Sequence, residues 1–320
     1  MNQKTKLWLG IASCLVLVGG IIFGIAMVML NGDFSKLSTD EYETNEHVIG
    51  EDYKNILIDT DTADIVFVPS ESAGSSVRCY EEKNAVHSVT VKDGTLVITV
   101  TDTKKWYDHI GIFNSTPKIT VSIPQGEYGT LSVESDTGDV EIPKDFKFSS
   151  IHISDSTGNI KNAASALEMI SIKTSTGYIR VEDVSANTLA LSVSTGGVTV
   201  SKATCEGDIT INISTGKTQL SDIACNSLIS NGNTGDISLD HVIAAEKFDI
   251  ERSTGDVRFE GCDAAEIFAQ TDTGDVVGSL LSDKVFMTQT DTGSVDVPKT
   301  VTGGKCEIET DTGDIKITIE

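Results

Sequence analysis

Four Asp-Thr-Gly triplets are the residues in this sequence that most directly suggest chemistry. In aspartic proteases, two aspartates face each other and share one proton. The triplets here begin at Asp136, Asp272, Asp291 and Asp311. Six further copies of the pattern begin with Ser or Asn. Copies stacked along one edge would point the same way instead of facing each other across a cleft. We therefore interpret the triplets as turns and predict no catalytic residues and no enzyme.

The aspartates of the last copies also suggest cation binding. Carboxylates stacked at the spacing of β-strands repel one another, so they either stay solvated or share a cation such as Ca²⁺. The candidate edge consists of Asp272, Asp275, Asp291, Asp311 and Asp314. No EF-hand or glycine-aspartate nonapeptide motif accompanies them. A calcium site and a solvated acidic edge both stay open, and the solvated edge is favoured.

Cysteine and histidine spacing predicts neither a zinc site nor a cofactor. The six cysteines form no CxxC motif, and none of the five histidines is spaced suggestively from a Cys or Ser. Cys205 and Cys225 each lie nine residues after a repeat glycine, and Ala186 and Ala244 share that offset. This register predicts a ladder of small inward side chains, with a Cys205–Cys225 disulfide as the alternative.

A tenfold repeat must position these residues. Each copy has a small polar residue, Thr, Gly, a variable residue and usually Val or Ile, and successive glycines lie 19 or 20 residues apart. Glycine suits a turn with positive φ, and a Ser, Asp or Asn two residues earlier can hydrogen-bond the turn backbone. The turn glycines are Gly138, Gly158, Gly177, Gly196, Gly216, Gly235, Gly255, Gly274, Gly293 and Gly313.

Apolar and polar residues alternate between the turns, as in residues 189–193 (LALSV) and 315–319 (IKITI). This period predicts half-buried strands. One unit cannot bury its own apolar face, but stacked units can. We predict an all-β fold, a parallel β-solenoid of β-helix type with 19–20 residues per coil, in which each turn lies above the preceding one. A run of antiparallel hairpins is the alternative, but it would show two strong turns per period.

The N-terminal segment is predicted to cross a membrane. Residues 7–30 carry no charge, and at about 1.5 Å per residue they span a hydrocarbon core of about 30 Å. Lys4 and Lys6 precede them and favour a cytoplasmic N-terminus. A cleaved signal peptide and a lipoprotein modified at Cys14 are alternatives, but the apolar run is too long for either.

The chain is accordingly divided into five segments. They are a cytoplasmic N-terminus (1–6), a transmembrane helix (7–30), a polar stalk (31–51), irregular first β-coils that form a cap (52–130) and a repetitive solenoid (131–320). Within the cap, residues 106–113 interrupt the strand pattern and predict a projecting loop.

The charge balance limits the class of partner. The formal net charge is −24, and outside residues 1–30 there are 22 basic against 48 acidic groups. Such a surface is repelled by phosphate backbones and by anionic lipid, so nucleic acid is excluded as a partner. It attracts cations and basic partners.

The whole pattern resembles a known bacterial family. The V-x-I-P step at residues 121–124, the LSV at 131–133 and the serial S/D-T-G-D-[VI] units that follow the anchor carry the resemblance. They resemble the β-strand-repeat "putative adhesin" family of unknown function, which includes the membrane-anchored LiaG-type proteins of Gram-positive envelope-stress operons. The resemblance covers roughly residues 52–320. It implies an extracytoplasmic β-solenoid at a Gram-positive cell membrane, and it supplies no catalytic residues.

The sequence as a whole predicts a non-enzymatic, single-pass membrane protein whose extracellular β-repeat domain binds or organises a component of the cell envelope. The expected partners are a cell-wall or envelope protein or polysaccharide. Two alternatives are an enzyme that modifies the wall or surface polysaccharide, and a structural spacer. Because Ile315–Ile319 is the last strand of the sequence, its edge is expected to be open to a partner or a second copy.

Overall fold

A computed structural model describes residues 2–29, 31, 41–71, 74–102 and 116–320. The predicted projecting loop at 106–113 and residues 32–40 of the predicted stalk lie outside these residues. The C-terminal part of the predicted stalk is instead a β-strand, Tyr42–Ile49. Helix α1 (Gln3–Met29) comes first, and none of its residues is buried. It is long and apolar enough to cross a membrane, with a mean hydropathy of 2.6 over 18 residues. The helix includes residues 7–29 of the predicted transmembrane segment 7–30.

Strands make up most of the rest of the described chain. Those of the N-terminal part are β1 (Tyr42–Ile49), β2 (Asn55–Thr62), β3 (Asp64–Pro69), β4 (Ser75–Glu82), β5 (Ala85–Lys92), β6 (Thr95–Asp102), β7 (Lys118–Ile123), β8 (Gly126–Thr137) and β9 (Val140–Ile142). Those that follow are β10 (Phe146–Thr157), β11 (Ile160–Asn162), β12 (Ser165–Ala186), β13 (Thr188–Cys205), β14 (Ile209–Thr234), β15 (Ile237–Thr254), β16 (Val257–Thr273), β17 (Val276–Leu280), β18 (Lys284–Thr292), β19 (Val295–Asp296), β20 (Gly304–Thr312) and β21 (Ile315–Ile319).

The predicted parallel β-solenoid is confirmed. From β8 to β16 each coil pairs in parallel with the next, and the register advances by one repeat. Ile172 pairs with Leu191, which in turn pairs with Ile211. All three are buried, and the polar residues between them face outward. Stacking thus provides the apolar contact that a single coil lacks.

At the N-terminal end the coils do not stack in chain order. The coil β2–β3 pairs with β8–β9 on one side and with β6–β7 on the other. Strand β5 pairs antiparallel with β6, while β4 pairs antiparallel with both β7 and β1. These antiparallel strands cover the end of the solenoid, where unpaired parallel strands would otherwise be exposed.

The C-terminal end shows a second exchange of order. Strand β20 lies between β16 and β18, and β21 lies between β17 and β19. The expectation that each turn lies above the preceding one is therefore wrong at both ends. The expected open edge at Ile315–Ile319 is wrong for its first two residues, since Ile315 and Lys316 pair with β17 and with β19. Residues 317–319 pair with β17 only. Within the described chain, β18 and β19 are the strands that end the stack.

Side-chain composition explains the C-terminal order. Strands β20 and β21 bury Cys306, Ile308, Ile315 and Ile317. The inward row of β18 contains Thr288 and Thr290 after one aromatic residue, and these positions stay half-buried. The more apolar coil thus occupies the enclosed position, where burial removes more apolar surface from water.

Candidate binding surface

The Thr-Gly turns lie one above another along one corner of the solenoid, and their backbones touch. The carbonyl oxygen of Gly158 lies 2.0 Å from the position that a Cβ on Gly177 would occupy. The carbonyl of Gly177 is 1.8 Å from the equivalent position on Gly196. Most of the turn glycines also have positive φ, including 145° at Gly177. Close approach of adjacent coils therefore excludes a side chain at this position.

The variable residue after each glycine occupies a second column. Where this residue is Asp or Asn, its side-chain oxygen accepts the backbone N–H of the equivalent residue in an adjacent coil. Asp139 Oδ1 accepts from Asn159 at 2.7 Å, and Asp275 Oδ1 accepts from Asp314 at 2.8 Å. Asp314 in turn accepts from the backbone and hydroxyl of Ser294, which holds the pKa of its carboxyl below the usual value. Many of the aspartates after a glycine thus have a structural partner.

The five aspartates of the predicted cation edge divide between two columns. Asp275 and Asp314 belong to the hydrogen-bonded ladder, whereas Asp272, Asp291 and Asp311 are exposed two residues before their glycines. In the described chain, they do not bring three ligand oxygens within 4.8 Å of one another. The triplets at Asp136, Asp272, Asp291 and Asp311 share this single edge, so the facing pair that an aspartic protease requires does not form among them.

The predicted ladder of small residues lies at a second corner. Ala186 pairs with Cys205, Cys225 pairs with Ala244, and all four are buried. Cys205 and Cys225 are free thiols, so the alternative of a disulfide is not observed. Burial raises the pKa of Cys205 to about 11 and that of Cys225 to about 12, which leaves both thiols protonated and unreactive at neutral pH.

A buried polar cluster in the cap was not predicted from the sequence. Cys79 and Glu81 point inward from β4, and His87 points inward from β5. Glu81 Oε2 lies 2.6 Å from His87 Nδ1 and accepts the His87 backbone N–H at 2.7 Å. The alternation of Val77, Cys79 and Glu81 on one strand was the signal, because it places a carboxylate on a core-facing row.

This cluster does not fit a metal site. His87 Nε2 is already 2.9 Å from Thr60 Oγ1, and Glu81 Oε1 accepts a hydrogen bond from Asn45 at 2.8 Å. A metal-binding cysteine must be a thiolate, but burial raises the pKa of Cys79 to about 12. The arrangement is a satisfied hydrogen-bond chain that connects the cap strands to β2.

Three residues before the turn glycine, an inward column contains polar side chains. Thr271 and Thr310 donate their hydroxyls to the carbonyls of Gly255 and Gly274, each at 3.0 Å. Asp155 occupies the same column but has no partner with normal hydrogen-bond geometry at either carboxylate oxygen. Burial raises its pKa to about 6, partly offset by the nearby N–H groups of the next two residues.

A cavity of about 530 Å³ opens where the C-terminal coils exchange order. Lys284 Nζ donates there to Asp263 Oδ1 at 2.6 Å and to Ser282 Oγ at 2.5 Å. Ser282 donates to the same aspartate oxygen at 2.9 Å. A serine nucleophile needs a base that can take its proton. Asp263 instead stabilises the charged ammonium, so this trio lacks an activated nucleophile.

A smaller groove of about 300 Å³ runs beside the Thr-Gly corner. The variable residues Asp139, Asn159 and Tyr178 form one wall, and the outward residues Glu141, Lys161 and Arg180 form the other. Tyr178 is one of the ten variable residues that follow the turn glycines, and the sequence analysis did not single it out. It is the only aromatic residue among those ten, and this difference could have marked it.

Comparison with known proteins decides the family. The family model described as Toastrack DUF4097 matches residues 53–213 and 198–320. This chain belongs to the Toastrack DUF4097 family. The two matches overlap, and together they include all the coils of the described solenoid and most of its antiparallel cap. No curated protein matches the sequence.

Several solved structures are similar to this Toastrack chain in fold. A "putative adhesin" from Parabacteroides distasonis ATCC 8503 is 12% identical, with a TM-score of 0.47 over 87% of this chain and 98% of that one. A "putative lipid binding protein" from the same strain is 16% identical, with a TM-score of 0.46 over 88% and 98%. A "putative adhesin" from Bacteroides fragilis NCTC 9343 is 16% identical, with a TM-score of 0.35 over 88% and 99%.

Proposed function

We propose that this chain is a non-enzymatic, membrane-anchored protein whose extracytoplasmic Toastrack domain binds a component of the cell envelope. The observation that carries the proposal is the fully exposed apolar helix Gln3–Met29, joined in one chain to a rigid β-solenoid. A helix of this composition is unstable in water and gains stability in a bilayer. The solenoid then presents its ladders of side chains to the envelope from a fixed point of attachment.

The acidic surface supports a solenoid that lies outside the cytoplasm and away from the membrane. Outside residues 1–30 the chain has 48 acidic and 22 basic groups, so its surface is repelled by anionic lipid headgroups. Lys4 and Lys6 precede the helix and favour the cytoplasmic side. The solenoid therefore extends away from the membrane on the opposite side. We also propose that the protein takes part in the response to envelope stress, as the family resemblance implies.

Labelling of introduced cysteines in intact cells tests the orientation. In a Cys14→Ser background, Ser154→Cys places a thiol on the exposed face of β10, and Gln3→Cys places one at the start of α1. A membrane-impermeant maleimide should label Ser154→Cys only, and Gln3→Cys should react after the cells are lysed. Labelling of Gln3→Cys in intact cells without labelling of Ser154→Cys would contradict the proposal. Recovery of the unlabelled chain in the soluble fraction would contradict the anchor.

A further inference from the structure

Tyr178 is an exception among the aromatic residues of the described solenoid. The residue is 65% exposed, whereas Phe146, Phe148, Phe248 and Phe259 are buried. The ladder does not require an aromatic side chain here, because only the backbone N–H of Tyr178 bonds to Asn159 Oδ1, at 3.1 Å. The hydrogen-bonded ladder therefore does not account for a large, mostly exposed aromatic ring on an acidic surface.

The neighbouring coil holds this ring in place. Tyr178 pairs with Gly197, which is buried. A Cβ on Gly197 would lie 3.0 Å from both Cδ1 and Cε1 of the ring. The ring thus rests on a position without a side chain, and the rest of it remains accessible from the groove. An aromatic residue with few rotatable bonds and a fixed seat loses little entropy when a ligand binds.

The polar groups around the ring have both signs of charge. Lys161 Nζ forms an ion pair with Glu141 Oε1 at 3.0 Å, and Asn159 donates to Asp139 Oδ1 at 3.1 Å. Arg180 lies two residues after Tyr178 on the same outward face, and it forms no ion pair within the described chain. Its five N–H donors are therefore available to a ligand.

We propose that this groove binds a pyranose unit of an envelope polysaccharide, which deepens the proposed envelope-binding function and rests on it. The C–H face of a sugar ring packs on an aromatic side chain, and its hydroxyls both donate and accept hydrogen bonds. Tyr178 supplies the ring, Arg180 supplies donors, and Asp139 and Glu141 supply acceptors. The groove volume of about 300 Å³ is at the lower end of the range for small-ligand sites.

A protein partner fits the groove less well. Hot spots between proteins place an aromatic residue inside an apolar, water-excluding ring of contacts. Here Tyr178 adjoins Asn159 and Gly197 on the corner, and the exposed Lys217 lies beside Gly197, one coil further on. They provide polar contacts and little apolar area, which matches a hydroxylated ligand.

The chain contains a natural comparison for this site. A second groove of about 200 Å³ has the same two walls and includes Asp236, Asp256 and Arg258, but its lining contains no aromatic side chain. A ligand recognised through the tyrosine ring should bind only the first groove. A ligand recognised through charge alone should bind both.

Titration calorimetry with the full chain in lipid nanodiscs tests the proposal. The probes are chitohexaose, mannohexaose and maltohexaose, which offer different pyranose faces. We expect at least one to bind. Tyr178→Ala should weaken that binding at least tenfold, and Tyr178→Phe should retain it within about threefold, because the ring supplies the contact. Gly197→Val should also weaken binding, because its side chain displaces the ring.

Arg258→Ala, in the groove without an aromatic residue, is the matched control and should leave the affinity unchanged. Thermal unfolding of each variant checks that the solenoid is intact. If none of the probes binds, or if Tyr178→Ala binds as tightly as the unchanged chain, the proposal is wrong. Equal losses for Arg258→Ala and Tyr178→Ala would likewise overturn it. Because this experiment does not depend on membrane orientation, its failure is distinguishable from failure of the labelling experiment.

Discussion

The carbonyl oxygen of Gly177 lies 1.8 Å from the place where a Cβ on Gly196 would be, so these adjacent coils touch through their backbones. Gly196 also has a φ of 149°, a conformation that side chains disfavour. Gly196→Ala should therefore lower the free energy of unfolding by about 3 kcal/mol, through overpacking and backbone strain. Urea denaturation measures this loss.

Gly126 provides the control for that substitution. It begins β8, a Cβ there would meet nothing within 4 Å, and its φ is not positive. Gly126→Ala should change stability by less than about 1 kcal/mol. Equal effects at the two positions would contradict close backbone approach as the reason for glycine at the corner.

The exchange of order at the C-terminal end predicts a specific pattern of cross-links. Gln270 pairs with Glu309, and Glu309 pairs with Gln289. In a Cys14→Ser background, cysteine pairs at 270/309 and at 289/309 should form disulfides, because adjacent coils place their Cα atoms about 4.8 Å apart. The pair 270/289 should remain reduced, because those coils lie at about twice that distance. Non-reducing electrophoresis with mild oxidant gives the answer, and stacking in chain order would reverse the result for 270/289.

The pair formed by Glu81 and His87 should contribute strongly to the stability of the cap. Their side chains are 0% and 2% exposed, and their closest atoms are 2.6 Å apart. Glu81→Ala leaves a buried imidazole without its partner, which should cost about 3–5 kcal/mol. Chemical denaturation of the full chain measures the cost.

The exposed pair Lys305–Glu307, at 2.7 Å, is the matched comparison. Glu307→Ala should cost less than about 1 kcal/mol, because water already screens that charge. A similar small loss for Glu81→Ala would show that the buried chain of hydrogen bonds does not hold the cap.

Asp155 should make the stability depend on pH. Its pKa is raised from 3.8 to about 6 by burial, so the folded state binds the proton more tightly than the unfolded chain. The contribution of protonated Asp155 to the free energy of unfolding is therefore fully present below about pH 4. It is lost as the pH rises to about 6. Asp155→Thr should remove this pH-dependent loss of stability. The threonine hydroxyl does not ionise, and in this column it can donate to the Gly138 carbonyl, as Thr271 does to Gly255.

The comparison is made between the two chains at pH 4 and pH 8, since the many other carboxylates titrate equally in both. Asp155→Thr should be more stable by about 1–2 kcal/mol at pH 8, with a smaller difference at pH 4. Thermal unfolding provides the measurement. A difference that does not change with pH would mean that Asp155 is not the titrating group.

The sequence by itself determined the repeating architecture, because its signals are local. The glycine spacing of 19 or 20 residues, the period-two alternation and the uncharged segment before the repeat each follow from backbone geometry and solvation. The inward column of Ala186, Cys205 and Cys225 followed from a constant offset to the turn.

Only the tertiary structure decided which coil lies beside which, and therefore which side chains meet. Ile315 lies between Val276 and Val295 because the more apolar coil occupies the enclosed position, a competition between distant segments. Glu81 meets His87 and Asn45 only when antiparallel strands fold over the end of the solenoid. Tyr178 becomes a candidate platform only when Gly197, one coil away, leaves the room beside its ring, a contact that stacking of the coils creates.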